Sequence, residues 1–311
     1  MSPRGDRSMV PEAEFESYYG RQILKTPTWK TPDVPLYLFL GGLAGASAVL
    51  AEGAAATGRP DLERVARLAA AGGATAGTVA LVHDLGRPER FLHMLRVFKP
   101  TSPLSVGSYI LAPFSTFAGA AAASQLTGRL PRLGRLAGLG AAAFGPPLAT
   151  YTAALIGNTA VPAWHEAHRE LPFIFGGSGA TAAGGLAMVF TPVAQAGPAR
   201  RMAVAGAALE IVAAERLLDR LGLVGEPYRT GRPGRLMSVS RTTTAVAAGA
   251  TVLLGRRSRV VSAVAGAACV AASVMTRFGI FEAGLASARD PKYVVVPQRE
   301  RLAARQRASA R

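Results

Sequence analysis

Polar, arginine-bearing connectors cut this chain into apolar stretches of nearly uniform length. The stretches run Val34 to Thr57, Leu62 to Val82, Val106 to Leu126, Leu136 to Gly157, Leu171 to Val193, Met202 to Leu221, Thr242 to Gly255 and Val260 to Ile280. A helix needs roughly 20 apolar residues, at about 1.5 Å rise each, to cross a bilayer. Seven of the stretches approach or exceed that length. Thr242 to Gly255 reaches only about 21 Å between Arg241 and Arg256, so it spans with snorkelling arginines or from a start near Leu236. None shows the two-residue alternation of a barrel strand; the runs are Ala, Gly and Leu throughout. The pattern predicts an all-α fold, a polytopic transmembrane helix bundle of about eight helices. A polar segment occupies 1–33, the bundle 34–283 and a basic tail 284–311, with no soluble domain and no convincing internal repeat.

With eight crossings, the N-terminal segment, the connectors after the second, fourth and sixth stretches, and the tail share one face, side A. Side B then holds only tight, Arg-dense turns: GRPDLER, TGRLPRLGR, AGPARR and GRRSR. Side A reads PTWKTPDVPLY, HDLGRPERFLHMLRVFKPTSPLS, GNTAVPAWHEAHRELPF and GEPYRTGRPGR, and it carries both tryptophans and all four histidines. Long, chemically varied loops gathered on one face predict a docking surface with a site beneath it. The positive-inside rule weights short connectors near the spans, which tilts side B toward the cytoplasm and places the chain in the plasma membrane as a multi-pass protein.

Composition changes the picture in two ways. A net charge of +16 resembles a nucleic-acid footprint, but its arginines are spread over the connectors and tail as membrane topology requires, so no nucleic-acid partner is expected. Mean hydropathy of +0.24 is moderate because small residues, including 35 glycines, fill the spans. Small side chains let membrane helices pack backbone to backbone. The first 33 residues hold no apolar signal-peptide core, so the first helix is expected to direct insertion.

Candidate chemistry is sparse. Cys269 is the lone cysteine, which excludes an internal disulfide and an iron–sulfur cluster held by this chain. Intramembrane haem needs axial histidines inside helices, whereas His83 lies at a helix end and His93, His165 and His168 in loops. His165-Glu166-Ala167-His168 lacks the zinc-binding i, i+4 histidine spacing, so it reads first as a solvated or partner-facing loop. Asp84, with Arg87 three residues on as an ion-pair neighbour, ends the second helix at Gly86, where Pro88 enforces the stop; cap or site residue are both open. Pro146 and Pro147 interrupt the fourth helix, and Tyr151 follows Pro147 by one turn. A phenol there is either a hydrogen-bond donor to a carbonyl ligand or a packing residue. Glu52, Glu210, Glu215 and Arg277 fall in or near hydrocarbon, where charge is costly. The three glutamates, with Asp84, are read as a candidate proton path or as paired structural charges.

Several side A segments resemble the NrfD-like membrane subunits of polysulfide reductase type complexes. The matching stretches are Tyr37-Leu38-Phe39-Leu40-Gly41-Gly42, Asp84-Leu85-Gly86-Arg87-Pro88 with Arg90-Phe91, Ser102-Pro103-Leu104-Ser105-Val106-Gly107, Tyr151-Thr152, Pro162-Ala163-Trp164 with Leu171-Pro172-Phe173, and Glu226-Pro227-Tyr228. The resemblance covers helices one to five well and the last third weakly. It implies a subunit without a redox centre of its own, binding a quinone or quinol, of menaquinone type, near the face where an iron–sulfur electron-transfer subunit docks. A molybdenum or tungsten catalytic subunit usually lies beyond. Tyr151 matches the family's helix-four tyrosine; where members often place Asn or His before helix one, this chain has Trp29, Asp33 and Tyr37. The expected quinone-site residues are therefore Tyr151, Tyr37, Asp33, Asp84, Arg87 and Trp164. A purely structural anchor and a secondary transporter remain the competing functions; only the Pro pair fits the broken-helix site of a transporter.

Overall fold

The computed structural model describes residues 23–85 and 87–309; the end of the second helix at Gly86 lies outside the described residues. Among the described residues ten α-helices follow in order: α1 (Asp33–Ala56), α2 (Pro60–Asp84), α3 (Pro103–Thr127), α4 (Pro131–Gly157), α5 (Pro162–Glu166), α6 (Leu171–Phe190), α7 (Gly197–Leu221), α8 (Gly231–Leu253), α9 (Arg259–Arg289) and α10 (Lys292–Ser309), with short 3-10 segments at Pro88–Leu95 and Gly222–Tyr228. No strand occurs among the described residues. Eight of the helices are long. Six of these, α1, α2, α3, α4, α6 and α9, are long and apolar enough to cross a membrane. The other two, α7 and α8, have the length but carry more charge, including Arg200, Arg201, Glu210, Glu215 and Arg241.

Proline opens most helices because its missing N–H costs nothing in the first turn: Pro60, Pro103, Pro131, Pro162, Pro172 and Pro198 sit there. The short seventh stretch, Thr242 to Gly255, is lengthened in three dimensions. With α8 starting at Gly231, its 23 residues supply about 34 Å. At the other end of the chain, α9 is 31 residues long and passes the expected bundle limit at residue 283, since Gly284 and Ser287 still pack in the core. The tail itself is the helix α10.

The long helices form two groups of four. In one, α1 packs on α2 and α4, and α3 bridges α2 and α4; in the other, α6 packs on α7 and α9, and α8 lies against α9. The element order within each group is the same, a correspondence that the sequence does not display. Glycines set the closest approaches. A Cβ on Gly45 would land on the Gly145 carbonyl, joining α1 to α4, and one on Gly185 would collide with Gly266, joining α6 to α9. The two groups meet where α1 crosses α6: a Cβ on Gly42 would lie 3.4 Å from Gly179 Cα, and one on Gly179 2.8 Å from the Gly42 carbonyl oxygen. These contacts depend on backbones touching without side chains between them. They bury α1 and α6 most deeply of all.

Side A carries the tertiary lid of the bundle. Trp164 in α5 is fully buried, stacked between Trp29 at 5.5 Å and Phe281 at 5.5 Å, and its Nε1 donates to the Ile280 carbonyl at 2.8 Å. Tyr228 donates to the Ala163 carbonyl at 2.9 Å, and Ala163 N donates to Ser287 Oγ at 3.1 Å. The C-terminal helix α10 is tied on by Tyr293 to Glu226 at 3.2 Å, Lys292 to Glu226 at 2.9 Å and Arg301 to Glu166 at 3.2 Å.

Candidate quinone site and buried polar clusters

The heads of α1 and α2 bring four polar groups together at side A. Asp33 Oδ2 lies 2.8 Å from His83 Nδ1, whose side chain is 73% exposed. Lys30 N donates to Asp84 Oδ1 at 2.9 Å, and Lys30 Nζ to the His83 carbonyl at 3.1 Å. Asp33 opens α1 and His83 closes α2. Two antiparallel helices joined by a tight turn at side B therefore end side by side, carrying residues fifty positions apart into contact. The expected Asp84–Arg87 ion pair is not formed. Asp84 is engaged by the Lys30 backbone, and Arg87 is exposed.

One turn deeper lie two tyrosines. Gly41 of α1 faces Leu148 of α4, where an added Cβ would sit 3.8 Å from the Leu148 carbonyl oxygen. The helices are antiparallel, so Tyr37 and Tyr151, each about one turn toward side A from that contact, occupy the same depth. Tyr37 is buried against α2 beside Gly77. Tyr151 lies across α3, its ring filling the space left by Gly107. Helix α4 runs unbroken through Pro146 and Pro147; Thr150 Oγ1 donates to the Pro146 carbonyl at 2.9 Å and supplies a bond there. The Tyr151 hydroxyl has no protein partner among the described residues, and neither does the adjacent, fully buried Thr152 hydroxyl. The Tyr151 and Thr152 hydroxyls thus lie below a carboxylate–imidazole pair whose imidazole is exposed, a combination able to donate hydrogen bonds and exchange protons.

Of the expected ligand set, Asp33, Asp84, Tyr37 and Tyr151 gather at the side A end of the first helix group. Trp164 does not join them as a donor. It is enclosed in the packing of α5 on α9, with its N–H spent on Ile280. The segment around it is likewise anchored rather than free: His165 Nδ1 lies 3.1 Å from the Gly157 carbonyl and His168 Nδ1 2.8 Å from the His165 carbonyl. Two members of the cluster, Lys30 and His83, were not among the sequence-derived ligands. Their only signal was position, next to Asp33 and Asp84 at the head of the first hairpin.

The three glutamates of the candidate proton path occupy separate surroundings, and no hydrogen bond links one to another. Glu52 pairs with Arg67 at 3.0 Å, and Arg67 also holds Glu63 at 3.0 Å and Gln125 at 3.1 Å, near side B. Glu215 is paired with Arg241 on the outer face of α7. Glu210 is 5% exposed at the centre of the second group, where Thr276 donates to its Oε1 at 2.6 Å and Ser240 Oγ lies 2.7 Å from Thr276 Oγ1. Its Oε2 accepts no hydrogen bond of ordinary length among the described residues. Next to Thr276 in sequence, the fully buried Arg277 donates to the Phe175 carbonyl at 2.7 Å and lies 3.8 Å over the Phe175 ring.

These features define a multi-pass membrane helix bundle with a cluster of polar and titratable side chains at one face and two internal charge clusters. The family model for polysulphide reductase, NrfD matches residues 24–205, more than half of the 311 residues, and the chain belongs to that family, whose members are membrane subunits of quinone-interacting oxidoreductase complexes. A search of curated proteins found no match. The matched stretch contains every member of the side A cluster from Lys30 to Tyr151.

Proposed function

We propose that this protein is the quinone-reactive membrane subunit of a multisubunit oxidoreductase, exchanging electrons with an iron–sulfur subunit docked on side A, with a molybdenum or tungsten catalytic subunit beyond it. The observation that carries this reading is the hydrogen-bonded Asp33–His83 pair, 2.8 Å apart with its imidazole open to solvent, above the unpartnered hydroxyl of Tyr151. In this arrangement Tyr151 donates to one carbonyl of a menaquinone-type ring and orients it. Asp33 and His83 pass protons between that ring and the side A water. Tyr37 and the Gly107-lined wall of α3 exclude water from the ring edge. The apolar flanks of the helices accept the isoprenoid tail. Electron supply is the task of the partner, because Cys269 is alone in this chain and a cluster needs several thiolates.

Proton movement through the membrane is assigned to Glu210 at mid-bundle, whose second carboxylate oxygen accepts no hydrogen bond of ordinary length among the described residues, rather than to Glu52 or Glu215, each clamped by an arginine. The test is purification of the protein from native membranes, with quinone and iron measured in the same sample, followed by Asp33→Asn and His83→Gln. Quinone together with a cluster protein, and loss of quinone turnover in both variants with assembly intact, is the expected result. Iron without quinone would make the chain a structural anchor. Neither iron nor quinone would point to a transporter.

A further inference from the structure

The far end of the second helix group holds a groove that the quinone reading does not use. Helices α7 and α8 touch sparsely, because α8 packs mainly on α9. The space between them is a groove of about 340 Å³ lined by Gly197, Arg200, Arg201, Val204, Ala205, Ala208, Thr251, Val252 and Arg256. Its α7 positions recur at helical spacing from 197 to 208, a run of about 16 Å, or half the hydrocarbon thickness.

Charge and apolar surface are separated along that length. All three arginines stand at the side B mouth. Arg59 joins them: an added Cβ on Gly197 would meet the guanidinium of Arg59 at 3.6 Å and that of Arg201 at 3.7 Å. No carboxylate pairs with any of the four among the described residues. The nearby Asp61 is engaged by Gln195 instead, accepting from Gln195 Nε2 at 2.5 Å. Arg200 is fixed in place by the Val193 carbonyl at 3.0 Å and the Gly255 carbonyl at 3.4 Å. Deeper in, the wall is Val204, Ala205, Ala208 and Val252, and Thr251 turns its hydroxyl back to the Ala247 carbonyl at 2.7 Å.

A cationic mouth over an apolar slot of half-bilayer length matches one class of molecule. We infer that this groove binds an anionic phospholipid, with its phosphate among Arg200, Arg201 and Arg256 and an acyl chain along Val204, Ala208 and Val252. Basic pockets between membrane helices recognise anionic head groups in this way, each arginine near the surface contributing attraction that zwitterionic lipids do not supply. The bound lipid fills the gap that α7 and α8 leave and supplies the counter-charge that the protein lacks. This inference is independent of the quinone site, which lies at the opposite face.

The test uses the full chain, with whatever partners co-purify, stripped of lipid in neutral detergent and titrated with phosphatidylglycerol or phosphatidylcholine under native mass spectrometry. Arg201→Gln with Arg256→Gln removes two head-group contacts and leaves Arg200, which caps backbone, untouched. Arg305→Gln with Arg307→Gln removes the same charge from exposed positions on α10. Expected is a phosphatidylglycerol adduct on the parent and the α10 variant, preferred over phosphatidylcholine, with apparent affinity falling roughly fivefold per groove arginine removed, the equivalent of about 1 kcal/mol each. Equal binding of the two lipids, equal loss in the α10 variant, or displacement of the adduct by millimolar inorganic phosphate would each overturn it. If the groove variant failed to fold, Val204→Trp, which fills the slot and keeps every charge, must still abolish the adduct.

Discussion

Replacing Tyr151 with phenylalanine isolates the hydroxyl that the proposed site depends on. The ring sits against Gly107 of α3, where no side chain could share its space, and phenylalanine keeps that packing. The hydroxyl makes no bond among the described residues, so its loss orphans no buried partner there, and the change in stability should stay within about 0.5 kcal/mol. Binding is different. A hydrogen bond to a quinone carbonyl contributes about 0.5 to 1.5 kcal/mol net, or roughly two- to tenfold in apparent affinity, and more in rate if the phenol assists proton delivery. Gly107→Ala is the complementary perturbation. Its methyl overlaps the ring and drives Tyr151 from its place at a cost of about 1 to 3 kcal/mol, so turnover should fall although the hydroxyl is still present. Steady-state kinetics with a short-chain quinol, on complexes whose assembly is verified by subunit stoichiometry, reads both variants. Unchanged affinity and unchanged rate in Tyr151→Phe would refute the assignment and leave Tyr151 as a packing residue.

Three further outcomes follow from the structure. Gly284→Ala should prevent assembly, because its Cβ would occupy the indole of Trp164, which is locked by Phe281 and Ile280; a thermal-shift assay in detergent showing parent-like stability would contradict that packing. Arg220 binds the Glu170 carboxylate at 2.7 and 2.5 Å and holds it below its ordinary value of 4.5. The folded pKa is thus below the unfolded one, so this contribution, about 1 kcal/mol for a partly exposed pair, is complete above about pH 4.5 and fades as pH falls through the lowered value. Melting temperatures of the parent and Glu170→Gln should accordingly differ at pH 7 and converge as the pH falls below the ordinary carboxylate range and through the lowered value, and a constant difference would remove the pair from the account. Glu210→Gln should reduce proton translocation in vesicles more than quinone turnover, since it deletes a titratable group without changing shape; equal loss of both would make Glu210 structural.

A bundle of about eight long helices was legible in the sequence alone, because bilayer thickness fixes helix length and apolar runs are contiguous in the chain, whereas the short α5 and the tail helix α10 were not. Even the assignment of long loops to one face follows from counting crossings. Which small residues touch was not legible. Gly42 and Gly179 look like many other glycines, and only the crossing of α1 on α6 makes them the seam between two four-helix groups. The correspondence of those groups escaped the sequence for the same reason, as packing order survives where residue identity does not. The site divides similarly. Asp84 was marked by its place at a helix end and Tyr151 by its position one turn past the Pro pair, whereas Asp33 and Tyr37 entered only through the family resemblance. Tertiary structure alone paired Asp33 with His83, diverted Asp84 from Arg87 to the Lys30 backbone, and withdrew Trp164 into the core. Each of those outcomes depends on which helix lies beside which. Hydrophobic length sets how a membrane chain crosses its bilayer, while the partner of each buried polar group is set by helix packing, through contacts between residues distant in sequence.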